Sequence, residues 1–387
     1  MNGANFLIKK KYLLSPGPTP LPEEVLSLAS EPIIHHRTPE FSQIYMEVTD
    51  GLKFVFQTEN DVYILASTGS GAMEAAVVNT LSPGDKVICI NCGKFGARWA
   101  HIARAYGADV KEIVLEWGDN FSKAQLVEVM QEVPEAKAVF STLFATSTGA
   151  LYDIQGFGEV VSPTNAILVV DGISGLGATP CPMDDWNIDV LISGSQKAFM
   201  TPPGLSYISF SSKAWNLVES STMPKFYYDA REYKESLKNN TSPWSPAISL
   251  ILQQKKSLDI IKSIGLKNLI LHHQILGNAT RSGVQAIGFD LLPRCPGNVL
   301  TAVKVPDGID GIRLVEIMHE KYHVYIAGAQ GPHKGDFFRI AHLGYMGGFD
   351  VITALSALEM TLLDLGYSFE PGQAIKAAEE IIKENWQ

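Results

Sequence analysis

From about residue 60 the chain alternates short, unbroken apolar runs with amphipathic stretches. "VYIL" leads through a glycine turn into "GAMEAAVVNTL", and "GDKVICI" precedes "GARWAHIARAYGA". "AKAVFSTLF", "AILVVD" and "VLISGS" follow, the last reaching "GLSYISFS". A strand with one wet face alternates apolar and polar residues, whereas a run apolar at every position is buried on both faces. Such runs separated by helices predict an α/β fold: a mostly parallel sheet between helices. The last of them, "VLI", is expected to end at Ile192, because Ser193-Gly194-Ser195-Gln196 is small and polar. A helical stretch, "SPAISLILQQKKSLDIIKSIG", then leads to a C-terminal part with strands of its own in "LTAVKV" and "FFRIAHL". The expected organisation is a Pro/Gly-rich N-terminal arm (1–20), a large domain (21–262) and a smaller α+β domain (263–387).

The chain has 387 residues, 46% hydrophobic and 19% charged, enough for a large core. A net charge of -10 argues against nucleic acid or an anionic membrane as partner, since both reward clustered Lys and Arg. No apolar run approaches the roughly 18–20 residues of a membrane span. The basic residues of "MNGANFLIKKK" follow its apolar patch, the wrong order for a secretory signal, so the segment is read as mature sequence. Four cysteines make no disulfide framework at this length, and a reducing cytoplasm is the expected location. Cys89 and Cys92 form a C-x-x-C, but "KVICINCGKFG" reads as a buried strand entering a glycine turn rather than a metal or redox site.

Open parallel sheets bind ligands beyond the carboxyl ends of their strands, and three polar groups fall there. Ser67-Thr68-Gly69-Ser70-Gly71-Ala72 lies between a strand and a helix. It is a plain turn, or a loop whose small residues let a phosphate approach backbone N–H groups. It matches neither G-x-G-x-x-G nor G-x-x-x-x-G-K-[ST]. Asp171, closing "AILVVD", is a helix N-cap or a site carboxylate. Lys197 follows the next strand, where a free ammonium is costly unless paired, neutralised or covalently used. Together the three suit pyridoxal phosphate: the lysine forms a Schiff base, the aspartate pairs with the pyridine nitrogen, and the loop holds the phosphate.

With these residues in place, the chain resembles the class V (fold type I) pyridoxal-phosphate aminotransferases of the alanine–glyoxylate and serine–pyruvate group. The likeness spans nearly the whole length: "LLSPGPTPLPEEV", "HHRTPEF", "STGSGAMEAA", "GKFGAR", "TSTGA", "VVDGISGLGA", "SGSQKAFMTPPGL" and "FRIAHLG". It implies that Lys197 and Asp171 are catalytic, and that Thr68, Gly69, Ser70, Phe95, Thr146 and Gln196 contact the cofactor. Phe95 would stack on its ring. It further implies that Arg339 and Gly17 meet the substrate, with Arg339 forking onto the α-carboxylate. In such a homodimer with shared active sites, Thr241 or Ser242 of "NNTSPWSP" would reach the partner's phosphate site.

The implied activity is ping-pong amino transfer from a small L-amino acid (alanine, serine or aspartate-like) to glyoxylate or pyruvate. Ureidoglycine and aminoethylphosphonate remain alternatives as substrates. Where relatives often carry His-x-Glu before the "STG" element, this chain has Leu143-Phe144-Ala145, which leaves substrate choice open. His35, His36 and Arg37 line the entrance or cap the next helix. Two competing readings are a lyase or desulfurase, for which Cys295 is the C-terminal thiol to consider, and a non-catalytic accessory subunit.

Overall fold

The computed structural model describes residues 9–386, so the start of the arm, most of the segment read as mature N-terminus, and the final residue lie outside the described residues. The strands are β1 (Tyr12–Leu13), β2 (Val62–Leu65), β3 (Lys86–Asn91), β4 (Asp109–Val114), β5 (Ala138–Thr142), β6 (Phe144–Ala145) and β7 (Ala150–Leu151). They continue as β8 (Ile167–Asp171), β9 (Val190–Gly194), β10 (Ser206–Phe210), β11 (Leu300–Lys304), β12 (Val324–Tyr325), β13 (Ala327–Gly328) and β14 (Phe337–Ala341).

A seven-stranded sheet has the order β2-β10-β9-β8-β5-β3-β4. The pairs β3–β4, β3–β5, β5–β8 and β8–β9 are parallel. β10 runs antiparallel to both β9 and β2. Residue by residue these strands feed two cores. Ile88, Ile90, Leu168 and Val170 pack on one face, while Val87, Cys89, Ile167 and Val169 pack on the other. This is why the runs are apolar at every position. Each large aliphatic side chain so buried contributes about 1.5–3 kcal/mol.

One boundary differs from the reading above. β9 continues through Ser193 and Gly194, which pair with Tyr207 and Ser206 of β10. The ladder to β10 satisfies their backbone groups, and their small side chains suit a crowded sheet end better than bulky ones would.

Past the helix Ile248–Ile264, Gly265 takes a left-handed φ of 82° and the chain turns into the helix Leu266–Ala286. Residue 262, the expected domain boundary, falls in the last turn of the first of these helices. A three-stranded antiparallel sheet, β11-β14-β13, and the helices Leu266–Ala286, Gly348–Asp364 and Gln373–Glu384 enclose a third core. Leu14 of the arm, Phe144 and Ala198 join that core, whereas Phe199 belongs to the first. The arm itself is pinned by β1, which pairs in parallel with β12. The seam between the sheet and the C-terminal core thus passes through residues 198 and 199, beside Lys197.

Candidate active site

Lys197 sits in a loop that folds back on itself after β9. Ser195 Oγ donates to Pro202 O at 2.6 Å, and Met200 N donates to Lys197 O at 3.0 Å. From outside the loop, Thr19 Oγ1 donates to the same Lys197 carbonyl at 3.3 Å. A Cβ on Gly344 would stand 3.1 Å from that carbonyl, so the C-terminal part also closes on the lysine. Lys197 is 9% exposed, and its amine donates to Pro16 O. Gly17 lies directly over the lysine stem.

Asp171 ends β8, beside β9, where open sheets place their ligands. It caps no helix. Its Oδ1 accepts from Ile173 N at 2.8 Å, in a turn rather than at a helix start. Burial pushes its pKa up to about 6, against the downward pull of that N–H and of the Lys197 and Arg98 charges. Burial also lowers Lys197 to about 8; Asp171 opposes this shift and Arg339 adds to it. The two groups therefore share one field. At neutral pH these two buried charges, the carboxylate held by Ile173 N and the amine by Pro16 O, are costly to hold in protein.

Arg339 is 3% exposed and lies on β14, the middle strand of its sheet, not at an edge. Nη1 donates to Thr146 O at 2.8 Å and Nη2 to Gly328 O at 2.7 Å, while Nε is buried without a partner. Burial lowers its pKa to about 10. Thr146 faces two ways, since its Oγ1 shares a 2.6 Å hydrogen bond with Ser174 Oγ.

The helix Gly69–Thr80 starts after Thr68, whose side chain does not cap it. A Cβ on Gly69 would come within 2.8 Å of Ile173 Cγ1, so only glycine lets the helix start approach the loop after Asp171. Ser70 Oγ accepts from Arg98 Nη1 at 2.7 Å. Phe95 is half-buried near the start of the helix Lys94–Ala105, with the Arg98 guanidinium 5.0 Å from its ring centroid. Gln196 Oε1 is buried without a partner.

Other residues singled out from the sequence lie apart from this group. Neither Thr241 nor Ser242 hydrogen-bonds to it within one chain, and Ser242 Oγ donates to Trp244 O at 2.6 Å. The helix Pro39–Phe56 is capped by Thr38, so the capping role considered for His35, His36 and Arg37 falls to their neighbour. Cys89 and Cys92 pack in cores on opposite faces of the sheet. Burial raises the Cys92 thiol to about 11. Leu143 and Ala145 are buried in the first core and Phe144 in the third, so this segment is packing rather than polar machinery. Sequence reasoning missed Pro16, Ser174 and Arg98. "GKFGAR" held the only hint of Arg98.

The group fits pyridoxal phosphate: a buried amine beside a carboxylate, a glycine-led helix start, and two buried polar atoms, Gln196 Oε1 and Arg339 Nε, that lack partners. Comparison with known proteins agrees. The family profile Aminotransferase class-V matches residues 11–333. The soluble hydrogenase small subunit of Synechococcus sp. is 40% identical over 380 residues, covering 96% of this chain and 98% of that one. L-aspartate–glyoxylate aminotransferase of Paracoccus denitrificans is 33% identical over 373 residues, covering 94% of each. Ureidoglycine–glyoxylate aminotransferase of Bacillus subtilis superposes with a TM-score of 0.92 at 26% identity, covering 98% of this chain and 100% of that one. The chain belongs to the class V aminotransferases, fold type I enzymes that work with pyridoxal phosphate.

Proposed function

We propose that the chain moves an amino group from a small L-amino acid (alanine, serine or aspartate-like) to glyoxylate or pyruvate. The observation that carries this reading is a buried amine and a buried carboxylate in one field, with a half-free arginine fork at the same seam. Bound there, pyridoxal phosphate supplies an aldehyde carbon for the amino group and a ring that accepts an electron pair.

The protein residues divide the work. Asp171 keeps a negative charge against the ring nitrogen, helped by the Ile173 N–H. Lys197 Nζ, whose pKa burial brings down to about 8 in the cofactor-free chain, would take the proton from substrate Cα and deliver it to the cofactor's C4′ carbon. Arg339 orients the α-carboxylate through Nε and one Nη, at the expense of a carbonyl it now holds. Thr68, Gly69 and Ser70 would hold the phosphate, Phe95 would stack on the ring, and Thr146 and Gln196 would hydrogen-bond to the cofactor. Gly17, packed over the Lys197 stem, would meet the substrate. We further propose a cytoplasmic homodimer in which Thr241 or Ser242 reaches the partner's phosphate. Among the described residues no helix is long and apolar enough to cross a membrane.

The test is a half-reaction screen. Each candidate amino acid is added to the cofactor-loaded protein, and the spectral change and released 2-oxo acid are followed; each 2-oxo acid should then reverse the change. No response to any of them would sink the proposal. A second reading, a subunit of a redox assembly, has in its favour the name carried by the 40%-identical relative. Against it stands the retention of Lys197, Asp171 and Arg339 together, which an accessory role does not require. Hydrogen-dependent dye reduction by the purified chain would support that reading.

A further inference from the structure

Arg98 contacts Ser70 and Phe95 at the sheet's end, and its charge reaches Asp171. Its Nη1 donates to Ser70 Oγ at 2.7 Å, its guanidinium lies 5.0 Å from the centroid of Phe95, and its charge acts on Asp171. Arginine has five donors and no acceptor, so Ser70 Oγ must be the acceptor of this bond. The hydroxyl's own proton is thereby left for another partner, and among the described residues Ser70 Oγ donates to none. An oxygen already receiving a bond from a cation is polarised toward giving up its own proton. A phosphate offers acceptors only. Without the arginine, nothing among the described residues fixes which way the Ser70 hydroxyl points.

We propose that Arg98 is a positioning residue that sets the Ser70 hydroxyl as a donor to the cofactor phosphate, with the face of Phe95 holding the guanidinium in place. The inference rests on the function proposed above, since it takes the helix start at Gly69 as the phosphate site. Arg98 acts through Ser70 and need not touch the cofactor. Two features support this: the contact is made by one Nη alone, and the guanidinium is committed to an aromatic face beside it.

A double-substitution cycle tests the inference on the full chain carrying Lys197→Ala, so that binding is read without covalent attachment. Calorimetry compares pyridoxal phosphate with pyridoxal for Arg98→Met, Ser70→Ala and the pair. Each single change is expected to weaken pyridoxal phosphate by about tenfold or more, the range of a hydrogen bond to a charged group, and pyridoxal far less. The pair is expected to be no weaker than Arg98→Met alone. If Arg98→Met does not fold, the same cycle is run with Arg98→Gln, which stays polar but removes the cation. Additive losses would overturn the inference, because Arg98 would then be acting independently of Ser70. If the Lys197→Ala chain binds neither ligand while the unsubstituted chain is also colourless with pyridoxal phosphate, the proposed function fails and takes this inference with it.

Discussion

A methyl group on Gly17 would stand 2.5 Å from Nζ of Lys197 and 2.7 Å from its Cε. Real Cβ atoms do not approach that closely, and Gly17 also has a φ of 139°, which side-chain-bearing residues rarely adopt. The arm is thus part of the site: it supplies a roof over the amine through Gly17 and a carbonyl acceptor through Pro16. Gly17→Ala is expected to displace either the arm or the lysine. A misplacement of that size costs about a hundredfold in turnover. Steady-state rates and melting temperature check it together; a folded variant with unchanged turnover would contradict the assignment.

Arg339→Lys keeps the charge and loses the fork. The three nitrogens now divide between two carbonyls and one free Nε, a geometry that an ammonium cannot reproduce. KM for both the amino acid and the 2-oxo acid should rise about ten- to a hundredfold, with a smaller change in kcat. Saturation curves for the two half-reactions measure it. Equal KM values would remove Arg339 from the carboxylate site.

In the cofactor-free chain, burial of Asp171 and Lys197 sets a pH dependence of stability. Between pH 3.8 and about 6 the folded chain keeps a proton on Asp171 that the unfolded chain has lost, so stability falls as pH rises. Between about pH 8 and 10.5 the unfolded chain keeps a proton on Lys197 that the folded chain has lost, so stability rises again. The pair therefore weakens the fold most between about pH 6 and 8. The double variant Asp171→Asn with Lys197→Met should be the more stable chain in that window, by about 1–4 kcal/mol as for other replaced buried ion pairs. Urea titrations across pH test this, and an unchanged midpoint near pH 7 would contradict it.

Cys295 bears on the lyase reading. Its Sγ accepts from Asn120 Nδ2 at 3.0 Å, and its carbonyl accepts from Leu151 N at 2.9 Å, next to the bridge between Ala150 and Pro296. A thiol on paired backbone is poorly placed to reach for a substrate sulfur. Cys295→Ala should leave amino transfer within about twofold of the unsubstituted chain, a surface-type substitution costing little. Cysteine should release no sulfide from either protein, and sulfide assays decide the matter.

Much of this architecture is legible in the sequence, for a specific reason. Apart from the edge strand β4, the sheet strands are buried on both faces, so their apolar runs announce themselves, and a lone Asp171 directly after such a run, or Lys197 a short polar stretch beyond one, stands out. What stays hidden is set by tertiary contact. Ser193 and Gly194 are strand because β10 pairs with them, which their own propensities do not suggest. Arg98 sits among ordinary helix residues, and only the fold brings it to Ser70. Pro16 reads as punctuation in a proline-rich arm until the structure lays its carbonyl against Lys197.

The most direct test is chemical. Borohydride reduction of the cofactor-loaded protein, followed by peptide mapping, locates the lysine that holds pyridoxal phosphate. The expected result is a single modified peptide containing Lys197, absent from the Lys197→Ala chain. Label on another lysine, or on none, would contradict the account at its centre.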